Sequence, residues 1–254
     1  MKVTKVSELV VITGVSGGVG KVLAEQCLSA GFSVLGLDRN APDVTHDRFS
    51  FYQIDLHELV TSANTRKSCI EKITNLASTH DSLHLINNAA VQLLGNFGEL
   101  NPEAYVASFA VNAVAPAALI SSLANSLASG NGSVINIGSI HSSLTKSGFA
   151  AYAASKAALD SITRSAAIEY GPYFKVNAIM PAAINTEMLR AGFEGNPDGL
   201  KVLESFHPSK SLGNPIDVAN VALWLLHNKT KFLNGAFIQL NGAIGSLLHD
   251  PGNI

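Results

Sequence analysis

The stretch that decides the fold is residues 9–20, LVVITGVSGGVG. Its first four residues are apolar and mostly β-branched, which predicts a buried strand. A cluster of glycines follows, at Gly14, Gly17, Gly18 and Gly20. The residues after this cluster, up to about Ala30, have the pattern of a helix. A short apolar strand joined to a helix by a glycine-rich turn is typical of an α/β fold with a parallel sheet.

The rest of the chain repeats this alternation of short apolar runs and longer helical patterns. Further strands are predicted near residues 33–37, 51–54, 83–86, 133–137, 174–179 and 236–240. Helices are predicted over about residues 58–79, 102–128, 152–170 and 216–226. Uniformly apolar strands separated by helices indicate a parallel sheet covered on both faces. We therefore expect a single-domain, Rossmann-type, doubly wound sheet of about seven strands over residues 1–254.

Composition and charge narrow the range of functions. The 254 residues carry a formal net charge of −2 at pH 7 and contain no basic stripe, so an electrostatic case for nucleic acid is missing. Cys27 and Cys69 are the only cysteines, which predicts reduced thiols rather than disulfides or a metal site. Residues 1–8 lack the apolar core of a secretory signal, and no uninterrupted apolar run reaches membrane-spanning length. We expect a cytoplasmic protein without membrane or nucleic-acid partners.

The glycine turn and the end of the second predicted strand have the features of a dinucleotide site. Glycines allow a backbone to approach a pyrophosphate, which the N-terminus of the next helix attracts. Asp38 can accept hydrogen bonds from ribose hydroxyls and repels a 2′-phosphate. Arg39 could attract that phosphate, whereas Gly17 offers no basic side chain, so the balance favours NAD over NADP. A ligand-free turn and a solvated Asp38 carboxylate are the alternatives.

Four polar residues further along have a distinctive spacing: Asn112 precedes Ser139 by 27 positions, Ser139 precedes Tyr152 by 13, and Lys156 follows four later. In order and spacing they match the Asn-Ser-Tyr-Lys tetrad of the short-chain dehydrogenase/reductase family. The chain resembles this family from its first strand to about Ala243. Its glycine turn is similar to TGxxxGxG, residues 87–90 to NNAG, and residues 181–186 to PGxxxT. A YxxxK pair alone is common by chance, but this combination is specific.

The resemblance implies which residues contact a nicotinamide cofactor. These are Gly14, Ser16, Gly17, Gly18, Val19, Gly20, Asp38, Arg39, Asp55, Leu56, Asn88, Ala89, Ala90, Tyr152, Lys156, Pro181, Ile184 and Thr186. Asp55 would bind the adenine amino group, the Ile184 backbone the carboxamide, and Thr186 would add a hydroxyl contact. The chain departs from the family where Ala90 and Ala182 replace glycines and residues 241–243 replace Asp-Gly-Gly. These changes alter the expected shape of the nicotinamide pocket and leave the reacting groups intact.

The tetrad suits the transfer of a hydride to or from a carbon that bears oxygen. Such a reaction needs a group that gives or takes the proton of the substrate oxygen, and Tyr152 is the candidate. Lys156, one helical turn away, should lower the Tyr152 pKa from about 10. Ser139 would hydrogen-bond the substrate oxygen. In the family, the lysine also reaches the nicotinamide ribose, and the residue that Asn112 matches holds a water linking the lysine to solvent.

The implied activity is that of an NAD(P)-dependent oxidoreductase acting on a secondary alcohol or ketone. Residues 187–212 break the regular pattern and resemble the family's substrate lid, with an ordinary surface loop as the alternative. Candidate substrate contacts are Gln92, Ser139, His141, Phe149, Met188 and Phe193. His141 is more simply a pocket-lining residue than a catalytic one.

Two other functions fit the same fold. A catalytically silent, dinucleotide-sensing regulator would be expected to lose Tyr152 or Lys156, and a sugar-nucleotide epimerase needs a larger region after Thr186. In the family, the helices matching residues 102–128 and 152–170 pair across a two-fold axis. We therefore expect a homo-oligomer, a dimer or a homotetramer, and the apolar residues of the tail, 246–251, suit a contact with a neighbouring subunit.

Overall fold

The computed structural model of the chain describes residues 7–248 and contains a parallel sheet of seven strands. The strands are β1 (Glu8–Thr13), β2 (Ser33–Asp38), β3 (Phe49–Gln53), β4 (Ser82–Asn87), β5 (Ser133–Ile137), β6 (Lys175–Pro181) and β7 (Phe237–Leu240). Their spatial order is β3-β2-β1-β4-β5-β6-β7, and every neighbouring pair is parallel. The predicted doubly wound, Rossmann-type fold is confirmed. Residues 1–6 of the N-terminal segment and residues 249–251 of the tail, on which predictions also fall, lie outside the described residues.

Ten α-helices accompany the strands within residues 7–248. They are α1 (Gly18–Ser29), α2 (Leu56–Thr61), α3 (Ala63–Ala77), α4 (Pro102–Phe109), α5 (Ala115–Ser122), α6 (Ala124–Ser129), α7 (Ala150–Tyr170), α8 (Glu187–Ala191), α9 (Pro197–Phe206) and α10 (Pro215–His227). Helices cover both faces of the sheet because its strands are apolar on both sides. Leu9 and Val11 of β1 face the core shared with α3, α5 and α7, whereas Val10 and Ile12 face the core shared with α1 and α10.

Two predicted helices are interrupted. The helix expected over residues 58–79 is divided into α2 and α3 at Ser62. The backbone of Ser62 is extended, which ends α2, and its hydroxyl caps α3 by accepting a hydrogen bond from the Thr65 backbone N–H at 3.2 Å. The helix expected over residues 102–128 contains a wide π turn at Ala110–Val114 and divides again between α5 and α6. Pro116 explains the π turn, because a proline has no N–H to donate to the carbonyl of residue 112.

The first part of that interrupted helix has an unexpected composition. Among the described residues, Pro102–Ser122 is the one helical stretch that is long and apolar enough to cross a membrane. Glu103, Ser108 and Asn112 interrupt this stretch, so it is not an uninterrupted apolar run. Core helices of soluble proteins pass the same test of length and composition, so the finding is weak evidence for a membrane span. In this fold, α4 packs against α7 and the π turn contacts both α2 and α7.

The strand order reverses between β1 and β4, and this reversal determines where a ligand can bind. β1 leads to β2 and β3 on one side, while β4 leads to β5, β6 and β7 on the other. The connections that leave the carboxyl ends of β1 and β4 therefore run apart and open a crevice between them. Ligands of open α/β sheets bind in such a crevice, beyond the carboxyl ends of the strands.

Candidate active site

A cleft of about 980 Å³ lies at the carboxyl edge of the sheet. It is lined by nearly all of the residues predicted to contact a cofactor or substrate: Gly14, Ser16, Gly17, Gly18, Val19, Asp38, Arg39, Asp55, Leu56, Asn88, Ala89, Ala90, Gln92, Ser139, His141, Phe149, Tyr152, Lys156, Pro181, Ile184, Thr186, Met188 and Phe193. The two predicted residues that do not line it are Gly20 and Asn112. The fold thus brings residues from most of the chain to one surface.

The glycine turn has the tight geometry that its sequence suggests. Gly14 adopts a φ of +76°, in the left-handed region that favours glycine. Gly20 lies behind the turn rather than in the cleft, and a Cβ atom there would stand 1.8 Å from the Gly14 carbonyl oxygen. The turn can therefore close against the first turn of α1 only because residue 20 has no side chain. This cradle, open toward the cleft, suits the close approach of a pyrophosphate.

Asn88 and Thr13 hold the turn against the end of β4. The Asn88 side-chain amide donates to the carbonyl oxygens of Thr13, at 3.0 Å, and Gly14, at 3.1 Å. The Thr13 hydroxyl, which is buried, accepts from the backbone N–H groups of Asn88 and Ala89, both at 3.0 Å. Thr13 was not among the predicted site residues. The signal for it was a single polar residue at the end of an otherwise apolar strand.

Asp38 is fixed beside the turn by hydrogen bonds. Its Oδ2 accepts from the Ser16 backbone N–H at 2.9 Å and from the Ser16 hydroxyl at 2.8 Å. Its Oδ1 accepts from the Asn40 backbone N–H at 3.2 Å. Arg39 is exposed and lines the same cleft. A carboxylate therefore stands where the turn meets β2, and it is held there by neutral donors rather than by a cation.

Asp55 has a local structural role in addition to its place in the cleft. It is the N-cap of α2, and its Oδ1 accepts from the His57 backbone N–H at 2.7 Å. Leu56 begins α2 and is buried. Because a capping bond uses only part of the acceptor capacity of a carboxylate, Asp55 can still accept a hydrogen bond from an amino group.

Ser139, Tyr152 and Lys156 converge at the other end of the cleft. Ser139 follows β5 and is buried, and Tyr152 and Lys156 lie one turn apart on α7. Ser139 lies close enough to the Tyr152 hydroxyl to lower its pKa through a hydrogen bond. The Lys156 Nζ donates to the Ile137 carbonyl oxygen at 2.8 Å and stands 5.8 Å from the centre of the Tyr152 ring. Three of the four tetrad residues thus form a cluster in the cleft.

The expectation that Lys156 lowers the Tyr152 pKa is wrong for this structure. Burial raises the pKa of Tyr152, and the hydrogen bond from Ser139 opposes only part of that rise. Burial also lowers the pKa of Lys156 to about 8, although the Asp160 carboxylate acts in the opposite direction. The physical reason is that both groups leave water, which penalises a phenolate and an ammonium alike, while the Lys156 Nζ points to a carbonyl oxygen.

Asn112 lies in the π turn, outside the cleft, and its side-chain amide is fully engaged with protein groups. Its Oδ1 accepts from the Val91 backbone N–H at 2.8 Å, and its Nδ2 donates to the Val91 carbonyl at 2.9 Å and to the Ser155 hydroxyl at 2.9 Å. The Ser155 hydroxyl in turn donates to the Tyr152 carbonyl at 2.7 Å. The Asn112 side chain therefore connects the segment after β4 to the helix that carries Tyr152.

Aromatic rings form the wall beside Tyr152. The rings of His141 and Phe149 are stacked, with centres 4.4 Å apart and an interplanar angle of 2°. Both rings pack against the Tyr152 ring in T-shaped contacts. Burial, and then the charge of Lys146, lower the pKa of His141 to about 4. His141 is thus neutral near pH 7 and shapes the pocket without bringing a positive charge to it.

The segment after β6 also lines the cleft. Thr186 is the N-cap of α8, where its hydroxyl accepts from the Leu189 backbone N–H at 3.3 Å, and the turn after α8 leads to α9. Met188 is more than half exposed and Phe193 is half-buried. Leu203, His207 and Ile244 are among the lining residues that were not predicted as contacts. Leu203 lies on α9, whereas His207 follows that helix and Ile244 follows β7.

Comparison with known proteins agrees with this geometry. A family model described as enoyl-(acyl carrier protein) reductase matches residues 14–243. An uncharacterized oxidoreductase, C922.06 of Schizosaccharomyces pombe, is 30% identical over 241 residues, covering 93% of this chain and 90% of the relative.

Two solved structures have the same fold. The first, 4-hydroxyisoleucine dehydrogenase complexed with NADH, is 25% identical, has a TM-score of 0.84 and covers 93% of this chain and 98% of its own. The second, ElxO with NADP bound, is 23% identical, has a TM-score of 0.85 and covers 95% of this chain and 100% of its own. With the family model and the tetrad, these matches show that the chain belongs to the short-chain dehydrogenase/reductase family of oxidoreductases.

Proposed function

We propose that this oxidoreductase transfers a hydride between NAD and the carbon of a secondary alcohol or ketone, with Tyr152 as the acid/base. The observation that carries the proposal is the cluster of Ser139, Tyr152 and Lys156 in the cleft that also contains the glycine turn. The cradle at Gly14 and Gly20 and the acceptor atoms of Asp38 and Asp55 fit a dinucleotide that runs along the carboxyl edge of the sheet.

The residues of the cluster have separate roles in the proposed reaction. A bound nicotinamide ring supplies the hydride in the reductive direction and accepts it in the oxidative one. The Tyr152 hydroxyl gives a proton to the carbonyl oxygen during reduction and takes one from the alcohol during oxidation. The Ser139 hydroxyl donates a hydrogen bond to the same oxygen and stabilises its developing charge. Lys156, whose pKa is about 8, is mostly an ammonium near neutral pH and can donate hydrogen bonds to the nicotinamide ribose.

A direct assay tests this proposal. The purified chain is incubated with a panel of secondary alcohols or ketones, with NAD and NADP in parallel, and the absorbance of the reduced nicotinamide is followed. Turnover with at least one substrate supports the proposal, and no turnover with any member of a broad panel contradicts it. The alternative, a catalytically silent regulator, has no support in the site, because both Tyr152 and Lys156 are present and line the cleft.

The preference for NAD rests on Asp38. We expect Asp38→Asn to lower the ratio of kcat/KM for NAD to kcat/KM for NADP by at least about tenfold, a change of about 1.4 kcal/mol. Asparagine can still accept from Ser16 but no longer repels a 2′-phosphate, and Arg39 remains to attract one. Steady-state kinetics with both cofactors measure this ratio. Asp43→Asn is the matched control, because Asp43 is an exposed carboxylate that forms an ion pair with Lys21 at 3.6 Å. An unchanged ratio in Asp38→Asn would contradict the assignment.

We also propose that the chain forms a homotetramer. Large apolar side chains are exposed in two separate regions, which suits two different interfaces. One region includes Val106 on α4 and Ile168 on α7, and the other includes Trp224 on α10 and Phe232 before β7. Equilibrium sedimentation at micromolar concentration should give four times the mass of the chain. A monomer under those conditions would contradict the proposal.

A further inference from the structure

His207 is a buried polar residue whose surroundings do not satisfy it. It follows α9, lines the cleft and is 2% exposed. Its Nδ1 is 2.9 Å from the Leu203 carbonyl oxygen, whereas its Nε2 is buried without a hydrogen-bond partner among the described residues. Buried polar atoms of native proteins are nearly always paired, so an unpaired one beside a ligand cleft calls for a partner that the ligand supplies.

The paired nitrogen determines what the unpaired one can do. A carbonyl oxygen only accepts hydrogen bonds, so the His207 Nδ1 must carry the hydrogen that it shares with Leu203. In a neutral imidazole with hydrogen on Nδ1, Nε2 has a lone pair and accepts. The missing partner is therefore a donor, such as a hydroxyl group.

Contacts through the C-terminal segment connect His207 to the reacting groups. A Cβ atom at Gly242 would lie 3.4 Å from the His207 Cδ2, which places this segment beside the imidazole edge that carries Nε2. Two residues on, Ile244 lines the cleft, and a Cβ atom at Gly245 would lie 3.5 Å from the Ile140 side chain. Ile140 directly follows Ser139, so His207 and the reacting groups belong to one side of the cleft.

We infer that the His207 Nε2 accepts a hydrogen bond from a second hydroxyl of the substrate, and that the enzyme selects diols, polyols or sugars over alcohols with a single hydroxyl. The inference rests on the proposed function and specifies its substrate class. Because the His207 Nε2 is buried in this structure, the second hydroxyl can reach it only if α8 and α9 shift as the substrate enters.

A hydroxyl suits this position better than a substrate ammonium. Lys146 and Lys156 both line the reaction end of the cleft, and their positive charges disfavour a cationic substrate. Glu187, the acidic residue of the lid that lines the cleft, is exposed, so solvent weakens its attraction for a cation. A neutral, polyhydroxylated molecule is not repelled by the charges of these lysines.

Two substitutions at residue 207 distinguish the roles of the two imidazole nitrogens. In His207→Asn, the side-chain amide can still donate to Leu203 in place of Nδ1, but no acceptor reaches the position of Nε2. In His207→Gln, the longer side chain can bring its carbonyl oxygen close to that position. The substrates are cyclohexanol and the 1,2-, 1,3- and 1,4-cyclohexanediols, each assayed with the preferred cofactor. The readout is the ratio of kcat/KM for the best diol to kcat/KM for cyclohexanol, which does not depend on the fraction of folded enzyme.

We expect the native enzyme to prefer a diol, His207→Asn to lower the ratio at least tenfold, and His207→Gln to retain most of it. An unchanged ratio in His207→Asn would overturn the inference, as would equal use of cyclohexanol and the diols by the native enzyme. If Nε2 bound a buried water instead of a substrate hydroxyl, His207→Asn would leave the ratio unchanged and would lower the free energy of unfolding. If the native enzyme used none of these diols but turned over alcohols with a single hydroxyl, or ketones without one, only the inference would fail. No turnover on any alcohol or ketone would contradict the proposed function itself.

Discussion

Tyr152→Phe is expected to lower kcat for the best alcohol substrate by about 10²–10⁴-fold, the usual contribution of a positioned acid or base. The substitution removes one hydroxyl and leaves the ring that contacts His141 and Phe149. Without that hydroxyl, the substrate oxygen has no neighbouring group that can exchange a proton, while Ser139 can still hold it in place. The loss should therefore appear in kcat, whereas the Kd for the nicotinamide cofactor should change little.

The control for this experiment is Tyr173→Phe, because Tyr173 is well exposed and lies at the opposite end of the sheet, beside the amino end of β6. It should have the same kcat as the native enzyme. Stopped-flow measurement of the hydride-transfer step, together with cofactor binding followed by fluorescence, separates chemistry from binding. Tyr152→Phe with near-native kcat would rule out Tyr152 as the acid/base. Loss of cofactor binding in that variant would instead indicate a packing role.

Much of the site could be predicted because its residues occupy positions that the fold itself dictates. The glycine turn follows β1, Asp38 ends β2, and Ser139 follows β5, so each lies at the carboxyl edge of the sheet. Once alternating strands and helices indicate a doubly wound sheet, that edge is where chemistry is expected. The spacing of Tyr152 and Lys156 places them on one face of a helix for the same kind of reason.

Features that depend on burial or on distant partners could not be predicted in this way. The direction of the Tyr152 pKa change depends on how completely its surroundings exclude water, and a spacing of four residues contains no such information. The bond between Asn112 and Ser155 joins residues that are 43 positions apart. His207 lies in a stretch without periodicity, and it becomes notable only because its Nε2 is buried and unpaired.

We expect Gly20→Ala to destabilise the protein by about 3 kcal/mol, the upper part of the usual range for overpacking. In an ordinary helix, alanine is more favourable than glycine by about 1 kcal/mol, so propensity alone predicts the opposite sign. The clash decides the outcome, because the new Cβ atom would lie 1.8 Å from the Gly14 carbonyl oxygen and 2.6 Å from the Asn88 Nδ2. The first of these is a backbone atom, so the glycine turn itself must move, and cofactor affinity should fall at least about tenfold with it.

Gly17→Ala is the matched control, since it makes the same chemical change in the same turn. Gly17 has a φ of −170°, which any residue can adopt, and nothing lies within 4 Å of the Cβ atom that it would acquire. The free energy of unfolding of the Gly17→Ala variant in urea, measured without cofactor, should stay within about 1 kcal/mol of the native value. If Gly20→Ala were as stable as Gly17→Ala, close contact at residue 20 would not be what shapes the turn. Helix propensity favours alanine at residue 20, inside α1, so a larger loss of stability in Gly20→Ala than in Gly17→Ala can be assigned to the approach of α1 to the Gly14 carbonyl, on which the proposed cofactor cradle depends.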